Sequence, residues 1–304
     1  EAELDLAPPE NGFQIEIPGS MVEVGDDIEW CEVVALPGGP DDVYHIDSIE
    51  SAMTTHGHYL QVSAALPASE TEANAAVGER VLCQRAGEVY GEELTDVINT
   101  QHLYDEVRFP EGVGKVFRGG QKIVIDFHYF NDSEEAVPAK VKVNFHLTAA
   151  EEVRTIAHTA AFENLTIYTP PNGESSHLGE CTVSGEVLVS GLARQTNRWG
   201  TSFTVWFSGG ERDGERIWTS TDWGRDTRYE FPDGPVALAS GEGFRFQCDY
   251  RNPTDEELRF GVNATDEVCV LRPTYWSAYE GEEVEDQSCL LFSVGEDGIA
   301  RKEE

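Results

Sequence analysis

Short stretches in which apolar and polar residues alternate extend along almost the whole chain, and no other feature of the sequence constrains the fold as strongly. In residues 121–130, the apolar side chains of one face alternate with a second face that includes Asp126 and His128, as in a β-strand. Similar strands are predicted at 140–148, 201–207, 243–250 and 259–264. Turn sequences rich in Gly and Pro lie between them, and helical patterning is nearly absent. The sequence therefore predicts an all-β protein made of antiparallel sandwiches.

The chain length of 304 residues predicts two domains of ordinary size. A boundary is expected near residues 149–152, directly after the strong strand pattern of 140–148. We therefore predict an N-terminal sandwich at 1–150 and a C-terminal sandwich at 151–304, which ends in an acidic tail. Residues 68–79 have the composition of either one short helix or a polar loop.

Acidic residues outnumber basic residues by 57 to 21, which gives a formal net charge of −36 at pH 7. Because phosphate binding needs a basic stripe, we expect no nucleic acid partner. No stretch approaches the roughly 18 apolar residues of a membrane helix, so we expect no membrane insertion. Self-assembly, or docking to a surface protein, would need cation screening or complementary basic patches. Acidic loops offer the oxygen ligands that calcium prefers, although no EF-hand spacing occurs.

Six scattered cysteines occur, and none belongs to a CxxC pair, which argues against a zinc ribbon or a thioredoxin-type site. They are Cys31, Cys83, Cys181, Cys248, Cys269 and Cys289. An even number predicts three disulfides in an oxidising compartment, so the protein is expected to be secreted, periplasmic or at the cell surface. Spacing alone leaves the connectivity open, and six buried free thiols in a cytosolic protein are the alternative. The start at Glu1, without Met or a leader, is what a processed protein would have, and a chain cut at an arbitrary boundary would look the same.

Three histidines are candidate metal ligands. His56 and His58 are two residues apart in a predicted strand at 54–62, so both are expected on one face. His128 lies on the predicted strand 121–130. Three imidazoles that converge from two neighbouring strands would suit copper or zinc. The alternative, which spacing alone favours, is that they are surface or hydrogen-bonded residues.

Other chemistry is indicated less specifically. No phosphate loop and no GxSxG nucleophile elbow occurs. Formal N-glycosylation sequons begin at Asn131, Asn164 and Asn263, and they matter only in a host that glycosylates. The six tryptophans suggest a carbohydrate-binding sandwich, although aromatic residues in sandwiches more often pack in the core.

Seven short motifs follow one another along the chain in a specific order and spacing. The motifs are MTTHGHYLQV at 53–62, PEGVGKVFRGG at 110–120, DFHY at 126–129, RWGT at 198–201, GGERDGERI at 209–217, GEGFRFQC at 241–248 and ATDEVC at 264–269. The chain thereby resembles the copper type II, ascorbate-dependent monooxygenases over residues 12–276, especially the bacterial members. The animal relatives are the peptidylglycine α-hydroxylating and dopamine β-monooxygenases. The resemblance implies two tandem jelly-roll-like β sandwiches with one copper each, and the disulfides Cys31–Cys83, Cys181–Cys289 and Cys248–Cys269.

The resemblance also implies where the first-domain copper would bind. That copper takes two adjacent histidines on one strand and a third from a later strand. The later histidine matches His128. The adjacent pair matches His58 and Tyr59, or Gly57 and His58 after a shift by one residue, so one ligand is replaced in either case. We infer, independently of the family, that His56 replaces the missing ligand from the same strand face.

The second-domain copper of this family takes a His-x-His and a Met directly before a Cys. Those places hold Gln195, Asn197 and Val268. Amides are poor donors for cuprous copper, and valine donates nothing. Since this copper activates dioxygen, we predict a monooxygenase-like protein that has lost hydroxylase activity and serves a binding or structural role, as a scaffold, adhesion or filament protein. A residual first-domain copper is a further expectation, and the alternative is an active monooxygenase that hydroxylates an unknown small substrate.

Overall fold

A computed structural model describes residues 4–65, 77–83, 94–224, 227–261, 265–295 and 297–302. The chain divides into two units, Glu1–His158 and Thr159–Glu304. The division lies beyond the predicted boundary at 150 because Val153–Ile156 adds a parallel strand to a sheet of the first unit. Most of the predicted helix or loop at 68–79 lies outside the described residues.

The first unit contains eleven described strands. They are β1 (Gly12–Val22), β2 (Asp27–Ala35), β3 (Val43–Met53), β4 (Gly57–Ala65), β5 (Arg80–Leu82), β6 (Leu94–Thr100), β7 (Tyr104–Arg108), β8 (Gly112–Arg118), β9 (Lys122–Phe130), β10 (Val137–Leu147) and β11 (Val153–Ile156). One sheet has the order β1-β10-β3-β8-β11, with β7 beside β3, and the other has the order β5-β2-β9-β4-β6. Without β5, β7 and β11, this is the connectivity of an eight-stranded jelly roll.

The second unit repeats this connectivity. After β12 (His158–Thr159) at the division, its strands are β13 (Phe162–Asn164), β14 (Tyr168–Thr169), β15 (Glu174–Thr182), β16 (Val187–Gln195), β17 (Gly200–Ser208), β18 (Arg216–Ser220), β19 (Arg228–Glu230), β20 (Val236–Leu238), β21 (Gly243–Arg251), β22 (Leu258–Arg259), β23 (Val270–Ser277), β24 (Cys289–Leu291), β25 (Ser293–Val294) and β26 (Ile299–Arg301). The main sheets have the orders β19-β16-β23-β13-β24 and β18-β17-β21-β15-β26-β25. The protein is therefore all-β, with two tandem antiparallel jelly-roll-like sandwiches, as predicted.

Each unit has its own hydrophobic core between its two sheets. On β9, Ile123, Ile125 and Phe127 are fully buried in the first core, as the alternation predicts. The predicted strand at 259–264 is wrong in extent, because β22 ends at Arg259 and is followed by an isolated bridge between Phe260 and Glu267. Residues 262–264 lie outside the described part.

Three disulfides join Cys31 to Cys83, Cys181 to Cys289 and Cys248 to Cys269. These are the pairs that the family resemblance implies, and each lies within one unit. They indicate an oxidising compartment. Among the described residues, no helix is long and apolar enough to cross a membrane.

Candidate functional site

A β-bulge on β4 brings two adjacent side chains to His128. Gly57 lies opposite Tyr129 and Tyr59 lies opposite His128, so His58 is the extra residue of the bulge. The ring centroids of His58 and Tyr59 lie 4.9 Å and 5.4 Å from the ring centroid of His128. The pair that faces His128 is therefore His58 and Tyr59.

His56 occupies a different position from the one predicted. Strand β4 begins at Gly57, and His56 lies in the preceding turn with a φ of 70°. This turn is closed by the Gly57 N–H, which donates to the Thr54 carbonyl at 3.2 Å. The His56 Nδ1 lies 3.3 Å from a carboxylate oxygen of Asp132. The expectation that His56 and His58 project from one strand face is therefore wrong, because side chains alternate regularly only within a strand.

Carboxyl groups surround His128 and Tyr59. His128 is 2% exposed, and its Nε2 lies 2.6 Å from Asp27 Oδ1. The Tyr59 hydroxyl donates to Glu29 and, at 3.1 Å, to Asp126 Oδ2. Burial and the neighbouring carboxylates raise the pKa of Tyr59 well above its ordinary value, so its hydroxyl stays protonated. Burial, followed by the charge of Glu29, also raises the pKa of Asp126 well above its usual range.

These residues fit a copper ion only in part. The imidazoles of His58 and His128 are suitable donors. The third place is held by the protonated phenol of Tyr59, which is a donor of hydrogen bonds and a poor metal ligand. In the described part of the chain, the one group of three His, Cys, Asp or Glu ligand atoms that all lie within 4.8 Å contains Cys31, Cys83 and Asp126 and no histidine.

The positions implied for the second copper are held by hydrogen-bonded or apolar groups. Gln195 ends β16, and its Oε1 accepts from the guanidinium of Arg272 at 2.8 Å. Asn197 Nδ2 donates to the Asp266 carbonyl at 2.8 Å. Val268 offers only a hydrocarbon side chain. No imidazole or thioether is present at these positions, and the guanidinium charge beside Gln195 repels cations, so these residues do not fit copper.

A buried carboxyl group next to these positions had no signal in the sequence. Glu267 is fully buried and accepts the backbone N–H of Asn197 at 3.0 Å and that of Trp199 at 2.8 Å. Burial raises the pKa of Glu267 to about 8. Arg194 is also buried and donates to Thr196 Oγ1 at 3.1 Å and to Ser220 Oγ at 2.9 Å. Glu267 and Arg194 thus fix the turn after β16.

The second unit repeats the bulge of the first at the equivalent strand position. Gly200 lies opposite Tyr250 and Ser202 lies opposite Asp249, with Thr201 as the extra residue. Thr201 and Ser202 therefore correspond to His58 and Tyr59, and Asp249 corresponds to His128. The same backbone arrangement thus carries two imidazoles and a phenol in the first unit, and two hydroxyls and a carboxylate in the second.

Two of the three sequon asparagines are buried. Asn131 Nδ2 donates to the carbonyls of Val22 and Glu135, and its Oδ1 accepts from Ser133. Asn164 is fully buried as well, and Asn263 lies outside the described residues. Asn252 makes the same kind of turn after β21, so these asparagines have structural roles.

No family model matches the chain, and no curated protein matches it. A solved structure described as the STIV MCP is similar, with a TM-score of 0.35 and 10% identity over 88% of this chain and 98% of that chain. The major capsid protein P2 from bacteriophage PM2 has a TM-score of 0.32 and 10% identity over 88% of this chain and 100% of that chain. PNGase F, a glycosylasparaginase from Flavobacterium meningosepticum, has a TM-score of 0.29 and 8% identity over 90% and 98%. Similarities of this size assign no function.

Proposed function

We propose that this chain is a non-catalytic relative of the copper type II monooxygenases, located in the secreted, periplasmic or cell-surface space. It serves as a binding or structural protein, such as a scaffold, adhesion or filament subunit. The observation that carries this proposal is the contact between Gln195 Oε1 and the guanidinium of Arg272 at 2.8 Å.

The Gln195–Arg272 contact supports a loss of hydroxylase activity for two reasons. The donor atom of Gln195 is engaged by a cation, and a second cation at that place would meet its positive charge. Asn197 is engaged with the Asp266 carbonyl, and Val268 offers no ligand. In the family that the sequence resembles, this is the place where dioxygen is activated. A chain that cannot seat that metal is expected to retain the fold without the reaction.

The first unit supports a narrower expectation, a residual copper held by His58 and His128. Their ring centroids are 4.9 Å apart, and Asp27 orients His128 through Nε2. Three disulfides support export to an oxidising compartment. Calcium on the acidic loops remains a prediction.

Copper reconstitution tests the loss of activity. The purified chain is loaded with copper, desalted and analysed for metal, and its ascorbate-dependent oxygen consumption is recorded. We expect at most one equivalent of copper, lost in His58→Ala and His128→Ala and retained in the control His45→Ala, with no oxygen consumption above a copper blank. Two bound equivalents, or oxygen consumption that Gln195→Ala abolishes, would support the alternative of an active copper- and ascorbate-dependent monooxygenase.

A rescue variant tests whether the positive charge of Arg272 keeps copper from the second-domain positions. Combining Gln195→His, Asn197→His and Val268→Met restores the donors that the resemblance implies. We expect a second copper equivalent only after Arg272→Leu is added, because the guanidinium otherwise opposes the ion. Copper binding by the triple variant with Arg272 intact would refute this explanation.

Sedimentation velocity tests the structural role. The net charge of −36 opposes association at low salt, so oligomers should appear as salt or Ca²⁺ is raised. A chain that stays monomeric across these conditions would exclude self-assembly and leave the binding role.

A further inference from the structure

A disulfide and a carboxyl group meet on the outer side of one sheet in the first unit. Cys31 on β2 lies directly opposite Asp126 on β9, and Cys83 follows β5, which pairs with β2 on its other side. The Cys83 Sγ lies 3.4 Å from Asp126 Oδ1. The two sulfurs and an Asp126 oxygen all lie within 4.8 Å of one another.

We propose that reduction of the Cys31–Cys83 disulfide converts this cluster into a binding site for Zn²⁺, with both sulfurs and the Asp126 carboxylate as ligands. Two thiolates, a carboxylate and a water complete a tetrahedral shell that zinc accepts. With the usual bond lengths to zinc, the ligand atoms would stand about 3.5–3.8 Å apart. The sulfurs therefore need to separate modestly, while paired strands hold Cys31 and Asp126 in place.

The chemistry balances with a dithiol as reductant. The dithiol gives two electrons and two protons, the Sγ–Sγ bond breaks, each Sγ becomes a thiol, and the reductant becomes a cyclic disulfide. Zn²⁺ then replaces the two thiol protons and any proton on Asp126, and these protons pass to the solvent.

Exposure singles out this disulfide. Thiol–disulfide exchange requires access to one of the sulfurs. Cys83 is half-buried, whereas both cysteines of each other disulfide are buried: Cys181, Cys248, Cys269 and Cys289. Neither of those disulfides belongs to a ligand cluster among the described residues. A dithiol should thus open the Cys31–Cys83 bond first, and only this opening creates the site.

Cobalt titration tests the proposal on the full chain. The protein is reduced with dithiothreitol, desalted without oxygen and titrated with Co²⁺, a spectroscopic substitute for Zn²⁺. We expect one equivalent with thiolate-to-cobalt charge-transfer absorption, displaced by Zn²⁺, and none for the oxidised protein. Asp126→Asn should weaken binding at least about tenfold, whereas Asp249→Asn, at a carboxylate of the second unit, should leave it unchanged.

Several outcomes would overturn the proposal: no charge-transfer band in the reduced protein, equal binding by the oxidised protein, or equal affinity of Asp126→Asn and wild type. Loss of the near-ultraviolet circular dichroism on reduction would also overturn it, since the thiols would then bind metal from an unfolded chain. The combined Cys31→Ser and Cys83→Ser variant should show no thiolate-to-cobalt charge-transfer band. Should that variant fail to fold, the comparison of Asp126→Asn with wild type decides, because both keep the cysteines.

Discussion

Raising the pH from 5 to 8 should destabilise the second unit through one carboxyl group, that of Glu267. Its pKa rises from 4.5 in a solvated chain to about 8 in the folded protein, because the side chain is fully buried. Between these values the folded state holds a proton that the unfolded state has released. Stability from this group is therefore complete below pH 4.5 and is lost as the pH rises to about 8.

The size of the effect follows from linkage. One proton of difference changes the free energy of unfolding by about 1.4 kcal/mol per pH unit, so the loss between pH 5 and 8 is at most about 4 kcal/mol. The substitution Glu267→Gln removes the titration. It also costs a constant amount at every pH, because the amide replaces one acceptor of the two backbone N–H groups with a donor.

Urea unfolding of wild type and Glu267→Gln at several pH values provides the assay. Tryptophan fluorescence reports mainly on the second unit, since it contains five of the six tryptophans: Trp199, Trp206, Trp218, Trp223 and Trp276. The stability of wild type relative to the variant should fall steadily from pH 5 to 8 and level off above. Parallel stability curves would refute the argument that a buried proton on Glu267 stabilises the fold.

Four further substitutions should change the free energy of unfolding in urea, followed by far-ultraviolet circular dichroism for the two in the first unit, at Lys115 and Asn131. Burial lowers the pKa of Lys115 from 10.5 to about 8, so between these pH values the unfolded state holds a proton that the folded state has released. The free energy of unfolding of wild type relative to Lys115→Met should therefore rise over this range, by at most about 1.4 kcal/mol per pH unit. A difference that does not change with pH would contradict this. Asn131→Ala and Asn252→Ala should each cost about 2–4 kcal/mol, since each removes several buried hydrogen bonds, and a loss below about 1 kcal/mol would argue against that role. Tyr250→Phe should cost about 1 kcal/mol through its bond to the Val268 carbonyl, with unchanged stability as the contrary result.

The sequence predicted the strands best where one face is entirely apolar. The pattern at 121–130 corresponds to β9 (Lys122–Phe130), and the pattern at 243–250 corresponds to β21 (Gly243–Arg251). Alternation failed at His56, because a positive φ at a non-glycine residue leaves no trace in the pattern. The bulge at His58 was equally hidden, although it decides which side chains meet His128.

The surroundings of the carboxyl groups in the candidate sites could not be predicted, because they depend on residues that are distant in sequence. In an alternating strand, a carboxylate such as Asp126 is assigned to the face away from the core, and that assignment is correct. Its neighbour Cys83, whose Sγ lies 3.4 Å from Asp126 Oδ1, is distant in sequence, so no local pattern indicates the contact. Glu267 is buried because it accepts backbone N–H groups across the turn after β16, a long-range contact that no local pattern encodes.

The burial of Asn131 and Asn164 limits how this protein can be produced. Eukaryotic secretion attaches oligosaccharides to such asparagines while the chain is still emerging, before any sandwich has closed. A sugar on Asn131 would occupy the nitrogen that donates to the Val22 and Glu135 carbonyls, and this side chain is fully buried in the folded protein. Export through a bacterial periplasm, or refolding from the cytosol, avoids this modification, and a glycosylating host should deliver aggregated material instead.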